Sequence, residues 1–240
     1  MTAIFDQFAA EFTAEIAAIG SLVTAFDDAR FNPRIRVAAA NSATLLIAAT
    51  FEEFSREMAR EYAKIVVASK RTVAELPPKL VSTAWRRTME YLSKVGFDNN
   101  DINFGSKIRD ASIMFANIYE FSSGDLSKNI YKELIKNENN MRSNEFNSLF
   151  KVSGLEDVCK KLSDKNPVLE FFGSTDPGIV HGKLVTALND FFGRRNIIAH
   201  SLNASQSSGN QQIQNDLAMF KNCAKALCET LTAAAGEANR

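Results

Sequence analysis

Three residues in the stretch "FFGRRNIIAHS" carry groups able to handle a phosphate: Arg195, Asn196 and His200. A guanidinium can hold an anion, an amide can orient it, and an imidazole can move a proton near neutral pH. On a helix, Leu184, Leu188, Phe191, Arg195, Ile198 and Leu202 fall on one stripe. Val185, Leu188, Phe192, Asn196 and Ala199 form its neighbour. Arg195 and Asn196 therefore stand where the pattern calls for aliphatic side chains. Burying a guanidinium is costly unless it is paired or meant for an anionic guest. His200 follows Asn196 by four residues and shares its face. The polar run after it predicts a helix end there, where the dipole favours an imidazolium.

Two readings stand at this point. The trio is a site for one phosphate, or Arg195 is a structural anchor that caps carbonyls or meets a carboxylate. Arg194 reads differently, as a helix ion pair with Asp190 four residues earlier. Glu52 and Glu53, in "TFEEF", are secondary candidates. Glu52 lies near the edge of the Phe51/Phe54 stripe, where it could face the helix of His200 and tune it; a solvated face is the plainer expectation for each.

Other signals carry less. "GSTDPGIVHGKL" misses the phosphate-binding loop pattern, since the spacing to Gly-Lys is wrong and Leu184 replaces the hydroxyl residue. His181 has no second ligand at metal spacing, so no metal or other cofactor is expected. Lys160, Lys161, Arg86 and Arg87 could track a nucleic-acid backbone, with a solvated face as the default.

The scaffold that must position these groups reads as helical almost throughout. Ile4/Phe5, Phe8, Phe12, Ile16, Ile19, Leu22/Val23 and Phe26 recur at steps of three and four. Pro33 predicts a break ahead of it. A second long helix carries Ile47, Phe51, Phe54, Met58, Tyr62 and Ile65, and a third runs roughly from Lys79 to Val95. Shorter helices are expected at Lys107–Phe121 and Leu126–Lys136. "NEFNSLFKVSG" and "GLEDVCKKLSD" give two more, separated by Gly154. "FFGSTDPG" reads as a loop, followed by a helix from about Ile179 through His200. After the polar loop "SLNASQSSGNQQ", a last helix carries Ile213, Leu217, Phe220, Ala224 and Leu227. The expectation is one all-α domain over 1–240, with an irregular helical insertion at about 96–141.

Composition narrows the function. Lys+Arg and Asp+Glu are equal at 28 each, so indiscriminate electrostatic binding to nucleic acid is not expected. Cys159, Cys223 and Cys228 are odd in number and lack CxxC spacing, which suits thiols in a reducing compartment. The opening "MTAIFDQFAAEF" has an early Asp and no basic run, predicting no signal peptide. The longest nearly apolar run, "ATLLIAATF", is too short for a bilayer. A cytoplasmic location without membrane contact is the expectation.

"RRNIIAHS" resembles the signature of the HEPN superfamily, an Arg and a polar residue followed by a His after a short variable run, here Arg195, Asn196 and His200. "SATLLIAATFEEFSREMAREYAKIV" and "NEFNSLFKVSGLEDV" are similar to the early helix and the short helices of the RiboL-PSP type. The resemblance covers roughly Asn41–Lys70 and Ser143–Leu227 and omits Gly96–Met141. It implies an up-and-down helical bundle and metal-independent endoribonuclease activity, with Arg195, Asn196 and His200 as catalytic residues. The 2'-hydroxyl would attack the adjacent phosphorus, leaving a 2',3'-cyclic phosphate and a 5'-hydroxyl. It also implies a homodimer with a composite site, and a setting in prokaryotic anti-phage defence or as a toxin restrained by an antitoxin or other partner protein. The alternative is a non-catalytic HEPN module that binds RNA or a partner protein; a purely structural bundle is the third reading.

Overall fold

The apolar spacing of the first stripe closes into α1, Ala3–Phe26, with Phe5, Phe12, Ile16, Ile19 and Val23 buried. The structure, a computed structural model, describes residues 3–28, 30–96, 101–136, 140–200 and 208–238. Pro33 opens α2, Pro33–Ala68, where its missing N–H costs nothing; the Asn32 side chain caps the start by accepting from the Arg34 N–H. α1 and α2 form a long hairpin, and the final helix, α10 (Asn210–Ala238), packs on both.

Between them run α3 (Leu80–Ser93), α4 (Phe104–Ser122), α5 (Tyr131–Leu134), α6 (Ser143–Lys151), α7 (Val158–Ser163), α8 (Asn166–Phe172) and α9 (Pro177–His200). No strand occurs among the described residues, so the fold is all-α as expected. α4 rests on α3, while α9 packs on α2, α6, α7 and α8.

Four helices meet at a cluster of fully buried phenylalanines. Phe51 of α2 lies 4.5 Å from Phe220 of α10 and 5.4 Å from Phe146 of α6, ring centre to ring centre. Phe191 of α9 meets Phe220 edge-on at 4.7 Å. Each such ring contributes about 1.5–3 kcal/mol by leaving water. This cluster sets the site: Glu52 follows Phe51, and Arg194 and Arg195 follow Phe191 and Phe192.

Several expectations need correction. The helix expected at Leu126–Lys136 shrinks to α5, because Asp125 accepts from both the N–H and the hydroxyl of Ser127, a local turn that competes with helix. α8 was missed: Phe171 and Phe172 are helical, not part of a loop, and the helix ends only at Gly173, whose φ of 61° suits a residue without Cβ. Seven residues are too few to reveal a period. The polar "NQQ" belongs to the first turn of α10 rather than to the loop. α1 is also long and apolar enough, by length and composition, to cross a membrane, although polar residues interrupt its apolar run. Its buried stripe packs against α2 and α10, as a core helix does. All three cysteines are buried free thiols, and burial pushes the Cys223 thiol up to about 12.

Candidate functional site

The helix bearing the motif leaves the core partway along. Leu184, Leu188, Phe191 and Phe192 of α9 are fully buried. From Gly193 onward the side chains are half-buried or exposed, and Ile197 is 70% exposed. The apolar stripe read through Arg195 to Leu202 therefore ends, as a buried stripe, at Phe191, and its neighbour ends at Phe192. Leu202 and the rest of the stretch from Ser201 to Ser207 lie outside the described residues.

The two neighbouring arginines take opposite roles. Arg194 does not pair with Asp190, which is exposed. Its Nη2 donates to both carboxylate oxygens of Asp216 on α10 at 2.8 Å, and its guanidinium lies 5.8 Å from the centre of the Phe191 ring. Asp216 is only 4% exposed and also accepts from Gln212. Burial pushes its carboxyl above the ordinary range, against the pull of Arg194 and Gln212. Arg194 is thus the structural anchor, tying α9 to α10.

Arg195 is spent on very little. Nη1 donates to Asn196 Oδ1 at 3.3 Å, and its buried Nε has no hydrogen-bond partner among the described residues. Across from it, Glu52 of α2 is half-buried and senses the charge of Arg195. The Met141 N–H donates to the Glu52 carboxylate, yet buried Oε1 has no partner among the described residues. Burial pushes the Glu52 carboxyl above the ordinary glutamate range, opposed in order by Arg195, Arg56 and the Met141 N–H. The two groups attract without closing an ion pair within 4 Å. A buried donor and a buried acceptor left open on facing helices are costly, and such groups ask for an explanation.

Asn196 is half-buried beside Arg195, while His200 is exposed at the last residue of α9. Among the described residues no hydrogen bond or ion pair engages the His200 imidazole. The structure thus brings Glu52, Arg195 and Asn196 together and sets His200 one helical turn beyond Asn196. Glu52 was expected to face the helix of His200, and the α9 charge it senses is that of Arg195. Glu53 points to the surface and pairs with Arg56 and Arg60.

The weaker signals fall as follows. His181 lies 3.8 Å from Asp157, and among the described residues no group of three His, Cys, Asp or Glu side chains could hold a metal ion. Lys160 and Lys161 are exposed, and Arg86 pairs with Glu90. Arg87 departs from the solvated default: it is half-buried and donates to the Leu134 carbonyl.

Sequence reasoning missed Asp216 and Arg56. An acidic residue beside Ile213, Leu217 and Phe220 was the available signal for Asp216, as an Arg in an apolar stripe was for Arg195. The Met141 N–H has no signal in side-chain spacing at all.

A family model described as RiboL-PSP-HEPN matches residues 11–233. The matched interval starts well before Asn41 and includes Gly96–Met141. No curated protein matches the chain, and no solved structure does.

Proposed function

We propose, from the premise that this chain belongs to the RiboL-PSP-HEPN family, that it is a metal-independent endoribonuclease. The coarser statement, an RNase-type or RNA-binding domain, comes with the family. The finer one draws its support from a single contrast: Arg194 gives its charge to the Asp216 carboxylate through two hydrogen bonds, while Arg195 donates only to Asn196 and has no carboxylate within 4 Å among the described residues. A purely structural arginine would be charge-paired within the chain, as Arg194 is. A guanidinium without such a pair suits an anion from outside the chain.

In the proposed mechanism Arg195 holds the scissile phosphate and stabilises the charge that gathers on the phosphorane. Asn196 orients Arg195 or the phosphate through its amide. His200 takes the proton of the ribose 2'-hydroxyl, or returns one to the leaving 5'-oxygen. The 2'-oxygen–phosphorus bond forms as the phosphorus–5'-oxygen bond breaks, leaving a 2',3'-cyclic phosphate and a 5'-hydroxyl. Glu52 keeps Arg195 aimed without consuming it. One chain supplies one motif imidazole, whereas the reaction wants both an acid and a base. We therefore place two copies with their α9 ends side by side, a homodimer whose cleft holds two of each group. The exposed Ile197 on that segment is consistent with a covered face in the dimer. The biological setting carried by the resemblance is anti-phage defence, or a toxin held by a partner protein.

The test incubates wild type, His200→Ala and Arg195→Ala with total RNA in EDTA and maps the ends. Wild type should cut, and each variant should lose about 10²–10⁴-fold in rate. Equal cutting by all three would remove the mechanism. RNA binding without cutting by wild type would leave the non-catalytic module instead.

A further inference from the structure

Beyond Glu52, the same face of α2 continues through Arg56 to Arg60, two turns or about 12 Å along the axis. Both arginines line a cavity of about 220 Å³ closed by Arg87 of α3 and by Lys132, Glu133 and Lys136 around α5. Five cations and one carboxylate thus converge on one small space.

Neighbouring acids cancel only part of this charge. Glu53 and Glu57 pair with Arg56 and Arg60, but the buried Arg60 Nε has no partner among the described residues. Arg87 and Lys132 have no carboxylate within ion-pairing distance among the described residues. Arg87 gives one bond to the Leu134 carbonyl, leaving most of its fork of donors for other acceptors. Burial, and next the neighbouring Arg86, hold its guanidinium below the usual arginine range, a strain that an anion would relieve. Tyr91, under the Lys136 ammonium at 5.3 Å, supplies an aromatic wall.

We infer that this cavity is a phosphate-binding subsite, taking one phosphate of a nucleotide unit between Arg60, Arg87 and Lys132. Its volume is below the roughly 300–1,000 Å³ of pockets for drug-sized ligands. It is several times the ~30 Å³ share of a liquid water, room for a phosphate with its sugar. The phosphate comes from an RNA chain whose scissile linkage lies at Arg195, or from a free nucleotide. Only the first source rests on the ribonuclease reading. The line from Glu52 through Arg56 to Arg60 is the path such a chain would follow.

The experiment uses the full chain and two variants, Arg87→Gln and Lys132→Glu. Lys132 is exposed, so its variant keeps the fold even if loss of the Leu134 contact unsettles the other; thermal melts check both. One arm measures binding of a 2'-O-methyl RNA oligonucleotide, which cannot be cut by 2'-hydroxyl attack, across a salt series. The other measures binding of adenosine 5'-monophosphate by calorimetry. An RNA-chain phosphate predicts about tenfold weaker oligonucleotide binding in each variant, with a salt slope shallower by roughly one for Arg87→Gln. Loss confined to the mononucleotide arm supports the subsite and assigns it to a free nucleotide. Wild-type binding by folded variants in both arms, or none by wild type in either, overturns the proposal. Because neither arm requires cleavage, an inactive wild type would remove the ribonuclease reading and leave this one standing.

Discussion

Glu52 shows how a residue near the proposed chemistry can lower stability. Burial raises its carboxyl above the ordinary 4.5 despite the opposing pull of Arg195. The folded protein therefore holds that proton more tightly than the unfolded chain does. The resulting stability is fully present below the ordinary value and is lost as pH rises through the raised folded value. Glu52→Gln should accordingly raise the thermal midpoint near neutral pH and leave it nearly unchanged at about pH 3, where the carboxyl is neutral in both folded and unfolded chains. If Glu52 also aims Arg195, the same variant should cut RNA more slowly while melting later, a trade seen where function requires strain. A midpoint that falls at neutral pH would mean the carboxylate is a net stabiliser, and this account of the site would fail.

At the scale of elements, α9 is held by its first four turns and by Arg194, and its end extends past the packed core. The Arg194–Asp216 pair ties that departing segment to α10 across 22 positions of sequence. Arg194→Ala would strand a carboxylate that is 4% exposed. A loss of about 3 kcal/mol is expected, at the lower end for a buried pair because Arg194 is itself partly exposed. Asp190→Ala, on the exposed flank, should stay within about 0.5 kcal/mol of wild type. Urea midpoints of the two variants check the contrast. Similar losses would show that Asp190 shares the load, as helix spacing alone suggests.

For the whole molecule, the decisive question is whether one copy suffices. The proposed composite cleft holds two guanidiniums and two imidazoles, so a dimer of His200→Ala with Arg195→Ala retains one of each. Mixing the two inactive proteins, with time to exchange subunits, should restore part of the cutting that neither shows alone. Ile197→Glu, which places a charge on the exposed α9 end, should lower both the sedimentation coefficient and the rate. Full activity of a sedimenting monomer would eliminate the composite site.

Local periodicity made much of this legible. Steps of three and four residues in Phe5, Phe12 and Ile16 or in Phe51, Phe54 and Met58 fix which face of a helix is apolar, and Pro33 marks where one must begin. The adjacency of Arg195, Asn196 and His200 is likewise local, because four residues make about one turn. Short elements such as α8 escaped because seven residues hold too few repeats. Only the tertiary structure decided which arginine meets a carboxylate at bonding distance and which does not. The rotation of α9 against α2 and α10, set by Phe51, Phe191 and Phe220, brings Asp216 to Arg194 and Glu52 to Arg195. A helical repeat states which residues share a face, but the depth at which that face leaves its neighbours depends on packing between distant segments. That is why a stripe written as continuous through Arg195 is buried only as far as Phe191.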